Sequence, residues 1–444
     1  MQRADDGGTR TETQGLSRNT TLIFAAAAGL SVANIYYAQP LLDAMARDFA
    51  MSPSAIGLVV TLTQIGYALG LIFLVPLGDL IDRRRLILAQ GMLSVAALVA
   101  LATARTEAIL FASLAAMGLL AVVVQVLVAF AATLATPAER GKAVGRVTSG
   151  VVIGILAARF IAGALADLGG WRAVYLTSAV LTTAMLGLLM RVLPRRSSPD
   201  STDSYAATLR SMPRLFLRDR IVLVRGLLAF LIFATFSTFW TALVLPLSTP
   251  PFSYSHTQIG LFGLVGMAGA AAATGAGRLS DRGLGAWTTG LSLALLLASW
   301  ALIARLQTSL PLFLAGVVLL DLCVQAVHVT NQSVLLARHP QASSRIVGGY
   351  MVFYAIGSAV GAITSTIAYA QGGWRGVSML GAGYSATGLL VWGTATALSV
   401  GRTGAKTRAQ PACRARPWRR VPRRRDAPPG GGRRPARVDR RRCH

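Results

Sequence analysis

Long runs of apolar residues, separated by short charged stretches, recur along this chain of 444 residues. Three clear examples are residues 55–77, 86–104 and 108–134. An apolar run of about 20 residues is long enough to cross the hydrocarbon core of a bilayer as an α-helix. A helix also satisfies its backbone hydrogen bonds internally, which a segment in lipid must do. The sequence therefore predicts a multi-pass helical membrane protein.

Twelve such runs are predicted to span the membrane, in two sets of six with a polar stretch between them. The predicted helices are residues 20–45, 55–77, 86–104, 108–134, 143–166 and 173–193, then 221–246, 257–276, 285–305, 310–337, 346–370 and 377–400. This gives an N-terminal segment 1–19, a six-helix bundle 20–193, a linker 194–220 without periodicity, a second bundle 221–400 and a tail 401–444. The predicted fold class is all-α, with two pseudo-symmetric halves.

Three short motifs occur once in each predicted half, at offsets of 203, 199 and 203 residues. They are S-x-x-x-I-G-L at 52–58 and 255–261, G-x-L-x-D-R at 78–83 and 277–282, and GGWR at 169–172 and 372–375. Parallel internal repeats are typical of one transporter architecture, in which the substrate site lies between the halves.

Positive charge predicts the orientation, because cytoplasmic loops are enriched in Arg and Lys. The turns after the second and fourth spans carry Arg83, Arg84, Arg85, Arg140 and Lys142, and the linker adds further arginines. The loops on the opposite side carry only five arginines: Arg47, Arg105, Arg172, Arg305 and Arg375. Both termini are therefore predicted in the cytoplasm, in a bacterial inner membrane, with the first span as the targeting signal in place of a cleaved signal peptide.

The composition argues against several other classes of protein. Charged residues make up 14% of the chain, against about 25% in soluble domains. Much of the net charge of +26 lies in the Arg-, Pro- and Gly-rich tail, which is predicted to be disordered. The tail has no aromatic platform beyond Trp418, so no nucleic acid is expected as a partner. Three cysteines and four histidines without metal-binding spacing predict no metal, no cofactor and no enzyme.

The G-x-L-x-D-R motif between the second and third spans, repeated between the eighth and ninth, resembles the signature loop of the major facilitator superfamily. The run NIYYAQPLL at 34–42 and GWR after the fifth span are similar to the bacterial drug- and sugar-efflux branch of drug:proton antiporters. The resemblance implies that Asp82 and Arg83 take part in a cytoplasmic gate, with Gly78 in the turn. It implies the same roles for the second copy, at Gly277, Asp281 and Arg282.

Ionisable side chains inside spans are costly and are treated as functional candidates. In the tenth span Asp321, Gln325, His328 and Gln332 lie at i, i+4, i+7 and i+11, on one helix face. Such a stripe predicts a proton pathway along a polar cavity. The alternative is a polar contact that holds neighbouring helices together.

Arg159 in the fifth span needs a partner, and Asp321 is the candidate across the cavity. Two alternatives remain open: Arg159 meets a substrate anion, or it extends to the membrane interface. Further candidates for the substrate and proton pathway are Asn34, Tyr37, Gln64 and Gln125. The aromatic residues of the seventh span, among them Trp240, are expected more often to face lipid than a cavity.

Glycines in the fifth span, Gly145, Gly150 and Gly154, are predicted to permit close helix packing. Antiporters of this superfamily often carry an arginine four residues before a glycine in the fourth span and a Gly-Pro pair in the fifth. This chain has Leu114 before Gly118, and Ile155 follows Gly154. Both differences weaken the case for drug/proton antiport.

The function predicted from the sequence is secondary active export of small organic molecules by a monomer, coupled to protons through Asp321 or His328. The mechanism would be rocker-switch alternating access. The first alternative is a proton-coupled uptake symporter for a sugar, an amino acid or an organic anion. The second is a membrane sensor or scaffold that transports nothing.

Overall fold

The computed structural model describes residues 17–52, 54–136, 139–194, 205–272, 284–338 and 343–408, and in these ranges it is helical with no strand. The all-α prediction is confirmed. The helices are α1 Arg18–Tyr36, α2 Leu42–Asp48, α3 Gly57–Phe73, α4 Arg83–Ala102, α5 Glu107–Leu120, α6 Val123–Leu134, α7 Arg140–Val192, α8 Tyr205–Arg218, α9 Arg220–Ala242, α10 Val244–Leu247, α11 His256–Ala272, α12 Gly285–Ile303, α13 Leu310–Arg338 and α14 Ser343–Arg408. The chain divides into two compact units, Met1–Ala397 and Leu398–His444, and the sites described below lie in the first.

Nine segments of the described chain are long and apolar enough to cross a membrane. Two of them, Gly141–Val192 and Arg345–Leu398, contain 52 and 54 residues, which is twice the length that one span needs. Each of these is interrupted by glycines with non-helical backbone angles and therefore supplies two spans. Together with α11, the segments agree with the twelve spans predicted from the sequence.

The GGWR repeat has a left-handed glycine at the same position in both halves. Its second glycine, Gly170 or Gly373, has a positive φ of 75° or 57°, a region that favours glycine because a Cβ atom is strained there. The tryptophan that follows donates its indole N–H to a neighbouring helix end. Trp171 Nε1 bonds to Asp48 Oδ2 at 3.0 Å, and Trp374 Nε1 bonds to the backbone oxygen of Ile303 at 2.9 Å.

The S-x-x-x-I-G-L repeat also has equivalent structural roles. Its glycines, Gly57 and Gly260, lie where a helix of one half meets a helix of the other. A Cβ atom at Gly57 would lie 2.9 Å from the backbone oxygen of Ala362, and one at Gly260 would lie 2.5 Å from that of Arg159. Two pseudo-equivalent contacts, α3 with α14 and α11 with α7, therefore join the halves.

Several predicted spans are interrupted. The first changes to a 3₁₀ helix at Gln39–Leu41 before α2, because Pro40 has no backbone N–H to continue the α-helix. The second ends in a 3₁₀ helix at Val75–Asp79, and the fourth is divided between α5 and α6. At its C-terminal end α14 continues to Arg408, so the first residues of the tail predicted as disordered are helical; residues 409–444 lie outside the described ranges.

The prediction of a linker without periodicity was wrong, because this stretch contains α8. The helix runs from Tyr205 to Arg218 and includes Pro213. Phe216 of α8 is buried and stacks on Phe353 of α14 with ring centroids 5.3 Å apart. The Tyr205 hydroxyl donates a hydrogen bond of 2.8 Å to the backbone oxygen of Phe73 at the end of α3. The linker helix thus contacts both halves.

Candidate functional site

A buried arginine lies at the centre of the contact between the halves. Arg159 of α7 is 3% exposed, and its Nε donates a hydrogen bond of 2.7 Å to Gln39 Oε1. Gln39 reaches this position because the first span is interrupted at Gln39–Leu41. A charged side chain at membrane depth is retained only where protein groups compensate it. Gln39 is therefore the direct polar partner of Arg159.

Three aromatic rings surround the guanidinium group. The Arg159 Cζ atom lies 4.1 Å from the ring centroid of Trp240, 5.1 Å from that of Tyr36 and 5.6 Å from that of Phe236. Such cation–π contacts contribute about 0.5–2 kcal/mol each, more where water is excluded. The aromatic residues of α9 thus line the central site, and the expectation that they face lipid was wrong for Trp240, which is 3% exposed.

Asp321 of α13 approaches Arg159 from the second half, and Trp240 lies between them. The indole Nε1 of Trp240 donates a hydrogen bond of 3.2 Å to Asp321 Oδ1, while its ring packs on the guanidinium. Asp321 Oδ2 occupies the space in which a Cβ atom at Gly266 would lie. Neither a hydrogen bond nor an ion pair joins Arg159 directly to Asp321. The predicted pairing is therefore indirect, through Trp240.

One donor of Arg159 has no partner. Its Nη2 atom is buried and makes no hydrogen bond, although Nε is bonded. An unsatisfied buried donor costs about 1–3 kcal/mol, and more when it is charged. This donor is available for a group that the site binds.

A group of tyrosines continues this site across the two halves. The hydroxyl groups of Tyr36 and Tyr354 are hydrogen-bonded to each other, and the rings of Tyr67 and Tyr354 are 6.3 Å apart. Gln125, a predicted candidate, donates a hydrogen bond of 3.3 Å from Nε2 to the Tyr67 hydroxyl. The cluster thus brings Gln125 of α6 into contact with the central site.

The predicted stripe on α13 is divided into two environments. Asp321 faces Trp240, whereas His328 Nδ1 lies 2.9 Å from the Tyr350 hydroxyl and its Nε2 lies 3.3 Å from Gln332 Nε2. Gln325 lies between these two groups and is half-buried. Because His328 bonds to Tyr350 of α14 and to Gln332 of its own helix, these residues fit the alternative of a polar contact between helices.

Asn34 and Tyr37 lie inside the first half. Asn34 Oδ1 accepts a hydrogen bond of 2.6 Å from Ser178 Oγ, and the Tyr37 ring packs edge-on against Tyr175. Gln64 of α3 is 3% exposed and its Oε1 has no hydrogen-bond partner. A small cavity beside Asn34 is lined by Ser31, Ser94 and Thr182 among others. Asn34 therefore joins α1 to the second span of α7.

Replacing Asn34 by Leu should lower the stability of the protein and leave the transport rate per folded molecule unchanged. The substitution leaves the buried Ser178 hydroxyl without its acceptor, at a cost of about 1–3 kcal/mol. Melting temperature and transport are measured on the same purified samples, and Ser178→Ala should reproduce the effect. Loss of transport at an unchanged melting temperature would instead assign Asn34 to the substrate pathway.

The first copy of the predicted gating motif forms the start of α4. Asp82 caps this helix, its Oδ1 accepting a 3.0 Å hydrogen bond from the backbone N–H of Arg85. Arg83 Nε donates to the backbone oxygen of Gly78 at 2.9 Å, and its Nη1 donates to Thr133 at 3.0 Å. Gly78 lies in the 3₁₀ helix Val75–Asp79 before this turn, and a Cβ atom there would have only ordinary contacts at 3.7 Å. Gly277, Asp281 and Arg282 lie outside the described residues.

Sequence reasoning did not find every residue at the contact between the halves. Gln39, an amide beside Pro40 in the first span, and Trp240, expected more often to face lipid, were considered but not ranked among the candidates for the substrate and proton pathway. At the end of the bundle opposite the turn at 78–85, His256 of the second half contacts Asp43 and Asp167 of the first. No pattern in the sequence connects these three residues.

Comparisons with known proteins agree with this architecture. The family described as Major Facilitator Superfamily matches residues 23–298 and 226–427. The chain is 46% identical over 377 residues to the uncharacterized transporter YgaY of Escherichia coli O157:H7, covering 85% of this chain and 95% of that protein. It is 33% identical over 391 residues to the probable transporter SCO4007 of Streptomyces coelicolor, covering 86% and 87%.

A solved structure has the same fold. It is the crystal structure of a bacterial homologue of the human lysosomal transporter Spinster, in an inward-facing and unoccupied conformation. The TM-score is 0.70 at 15% identity, over 84% of this chain and 95% of that one. With its multi-pass helical fold, its repeated motifs and these relatives, the chain belongs to the Major Facilitator Superfamily of membrane transporters.

Proposed function

We propose that this protein exports small organic molecules across the bacterial inner membrane as a monomer, driven by the proton gradient. The turn at 78–85 and both termini would face the cytoplasm. The two halves would move against each other so that the central site opens alternately to each side. Support for export and proton coupling comes from the resemblance of residues 34–42 to the drug- and sugar-efflux branch.

One observation carries the proposal: two buried charges, Arg159 and Asp321, belong to opposite halves and meet through Trp240. Protonation of Asp321 would remove its negative charge and leave Arg159 compensated only by neutral groups. The energy of the contact between the halves therefore depends on whether Asp321 holds a proton or Arg159 holds a substrate. Such a dependence is what couples a proton to a conformational change.

The proposal is tested in inside-out membrane vesicles that carry an imposed pH gradient, reported by a pH-sensitive fluorescent dye. A panel of organic cations, neutral molecules and anions is added one compound at a time. At least one compound should dissipate the gradient in vesicles with the protein and not in vesicles without it. Uptake of that compound into the vesicles should stop when the gradient is collapsed. Uptake at the same rate with and without the pH gradient would overturn proton coupling. If no compound dissipated the gradient, the result would contradict export.

A second candidate is transport of organic anions. It is favoured by the buried, unpartnered Nη2 atom of Arg159, which lies beside the rings of Trp240, Tyr36 and Phe236. A carboxylate bonds well to a guanidinium group. The panel of compounds used in the vesicle assay distinguishes the two candidate functions. If the protein transports organic anions, only the anions of the panel should be transported, and Arg159→Gln should abolish their transport.

A further inference from the structure

A histidine and two carboxylates close the end of the bundle opposite the turn at 78–85, which is called the far end below. His256 is the first residue of α11 in the second half. Its Nε2 lies 3.2 Å from Asp43 Oδ1 on α2, and its Nδ1 lies 3.0 Å from Asp167 Oδ1 on α7. These three residues, named the far-end cluster, connect the two halves.

The hydrogen-bonding chemistry of the cluster requires a charged imidazole. Ionised carboxylates only accept hydrogen bonds, and a neutral imidazole has a single N–H. Both ring nitrogens of His256 lie within hydrogen-bond distance of a carboxylate oxygen, so only the doubly protonated ring donates to both. In the neutral form, one nitrogen lone pair would face a carboxylate oxygen, and that contact would be repulsive.

Of the two carboxylates, Asp43 has a further cationic partner among the described residues, whereas Asp167 forms an ion pair with His256 alone. Arg47 Nη1 binds Asp43 Oδ2 at 2.9 Å, on the side away from the imidazole. Asp48 of α2 and Arg172 of α7 form an ion pair with each other. Asp167 also accepts the backbone N–H groups of His256 and Thr257, at 3.1 and 2.9 Å, and so caps α11. These backbone bonds form in either protonation state of the histidine.

Water reaches the cluster. The side chain of His256 is 19% exposed and that of Asp167 is 28% exposed. A proton can therefore enter from the aqueous phase at the far end without crossing the central site. The backbone of His256 also packs against Gly163, where a Cβ atom would overlap its carbonyl oxygen, so separating the halves must move the histidine away from both carboxylates.

We propose that His256 is a second proton-binding site, remote from Asp321, whose protonation closes the far end by joining His256 to Asp43 and Asp167. This inference rests on the proposed function only in assuming that closure of this end is one step of alternating access.

The pH dependence has a definite sign. The hydrogen bond to Asp43 and the negative charges of Asp43 and Asp167 raise the pKa of the His256 imidazole above its ordinary value, and partial burial only partly opposes them. In the open form the imidazole meets water and keeps an ordinary pKa. The free energy that protonated His256 contributes to closure is therefore fully present below the pKa of the open form. It is lost as the pH rises through the raised pKa of the closed form.

Closure that is favoured at low pH would assist the transport cycle of an exporter. If the far end faces outward, protons outside would bind the open form after substrate release and drive the return to the closed form. The histidine would thus make the return step faster on the acidic side of the membrane.

The test measures the distance between the halves at the far end by electron spin resonance. Spin labels are placed at Ala108→Cys and Gln307→Cys, two exposed far-end positions on opposite halves, in a cysteine-free background of the full chain in lipid nanodiscs. The wild-type histidine should give mostly short distances at about pH 5.5 and more long distances at about pH 9. The closed-to-open ratio should change about tenfold for each unit by which the two pKa values differ.

Three variants decide the result. His256→Gln cannot titrate, so its distances should not respond to pH, while Asp43→Asn should move the midpoint to lower pH. The control Thr308→His adds a histidine at an exposed far-end position and should respond as the wild type does. A pH response that survives in His256→Gln, or its absence in the wild type, would overturn the inference. These distance measurements need no substrate, so they leave the proposed transport function to be decided by the vesicle assay.

Discussion

Replacing Asp321 by Asn is expected to abolish proton-coupled transport. Asparagine has nearly the same size and still accepts the hydrogen bond from Trp240 Nε1, but it neither carries charge nor takes up a proton. Arg159 and Asp321 interact through Trp240 and not as a direct ion pair, so the cost of removing one charge lies at the lower end of the about 3–5 kcal/mol for a broken buried pair. A loss of about 3 kcal/mol in the transport step corresponds to a rate lower by about a hundredfold. The measurement is the initial rate of transport in proteoliposomes with and without an imposed pH gradient.

The effect on folding is separated from the effect on transport by a double-mutant cycle with Arg159→Gln. Each single substitution leaves one buried charge uncompensated, so each should lower the melting temperature. The double variant removes both charges and should regain stability without regaining transport. Asp219→Asn is the control for loss of a carboxylate away from the central site: asparagine still caps α9, and the ion pair that it breaks, with Arg338, lies outside that site. Wild-type rates and an unchanged gradient dependence in Asp321→Asn would reject the role of this carboxylate.

The sequence predicted those features that are local or repeated along the chain. Apolar runs indicated the spans because a backbone segment in lipid must form its hydrogen bonds within itself, as an α-helix does. The GGWR repeat predicted equivalent positions in the two halves, and Gly170 and Gly373 have matching positive φ values. The glycines of S-x-x-x-I-G-L likewise face equivalent helices across the two halves.

What the sequence did not predict depends on contacts between distant residues. Gln39 and Arg159 are 120 residues apart, and His256 and Asp43 are 213 apart. Neither pair shows a periodicity that would connect its members. Asp321 and Arg159 were expected to meet because a charge in a span needs compensation, but charge alone did not predict the indole that lies between them. The position of that indole depends on how the side chains of the two halves pack against each other.

A leucine at Gly150 should prevent the first half from packing. At this position α7 lies so close to α1 that an added Cβ atom would overlap the backbone oxygen of Ala25. At Gly154 the same atom would overlap the backbone oxygen of Gly29. Overpacking a well-fitted core costs about 1–3 kcal/mol, and more where the neighbour is backbone that cannot rotate away. We therefore expect Gly150→Leu to reduce the yield of monodisperse protein severely, measured by size-exclusion chromatography and melting temperature.

The chain provides a matched control five residues earlier on the same helix. Gly145 is exposed, and a Cβ atom there would have no neighbour within 4 Å. The prediction that all three glycines permit close packing was therefore wrong for Gly145, where no helix packs closely. Both leucine substitutions add the same side chain and change helix propensity equally, so they differ only in the surface that receives it. If Gly145→Leu were as damaging as Gly150→Leu, the close approach of α1 and α7 would not be what the glycines provide. A normal yield of Gly150→Leu alone would show that the two helices can move apart at little cost.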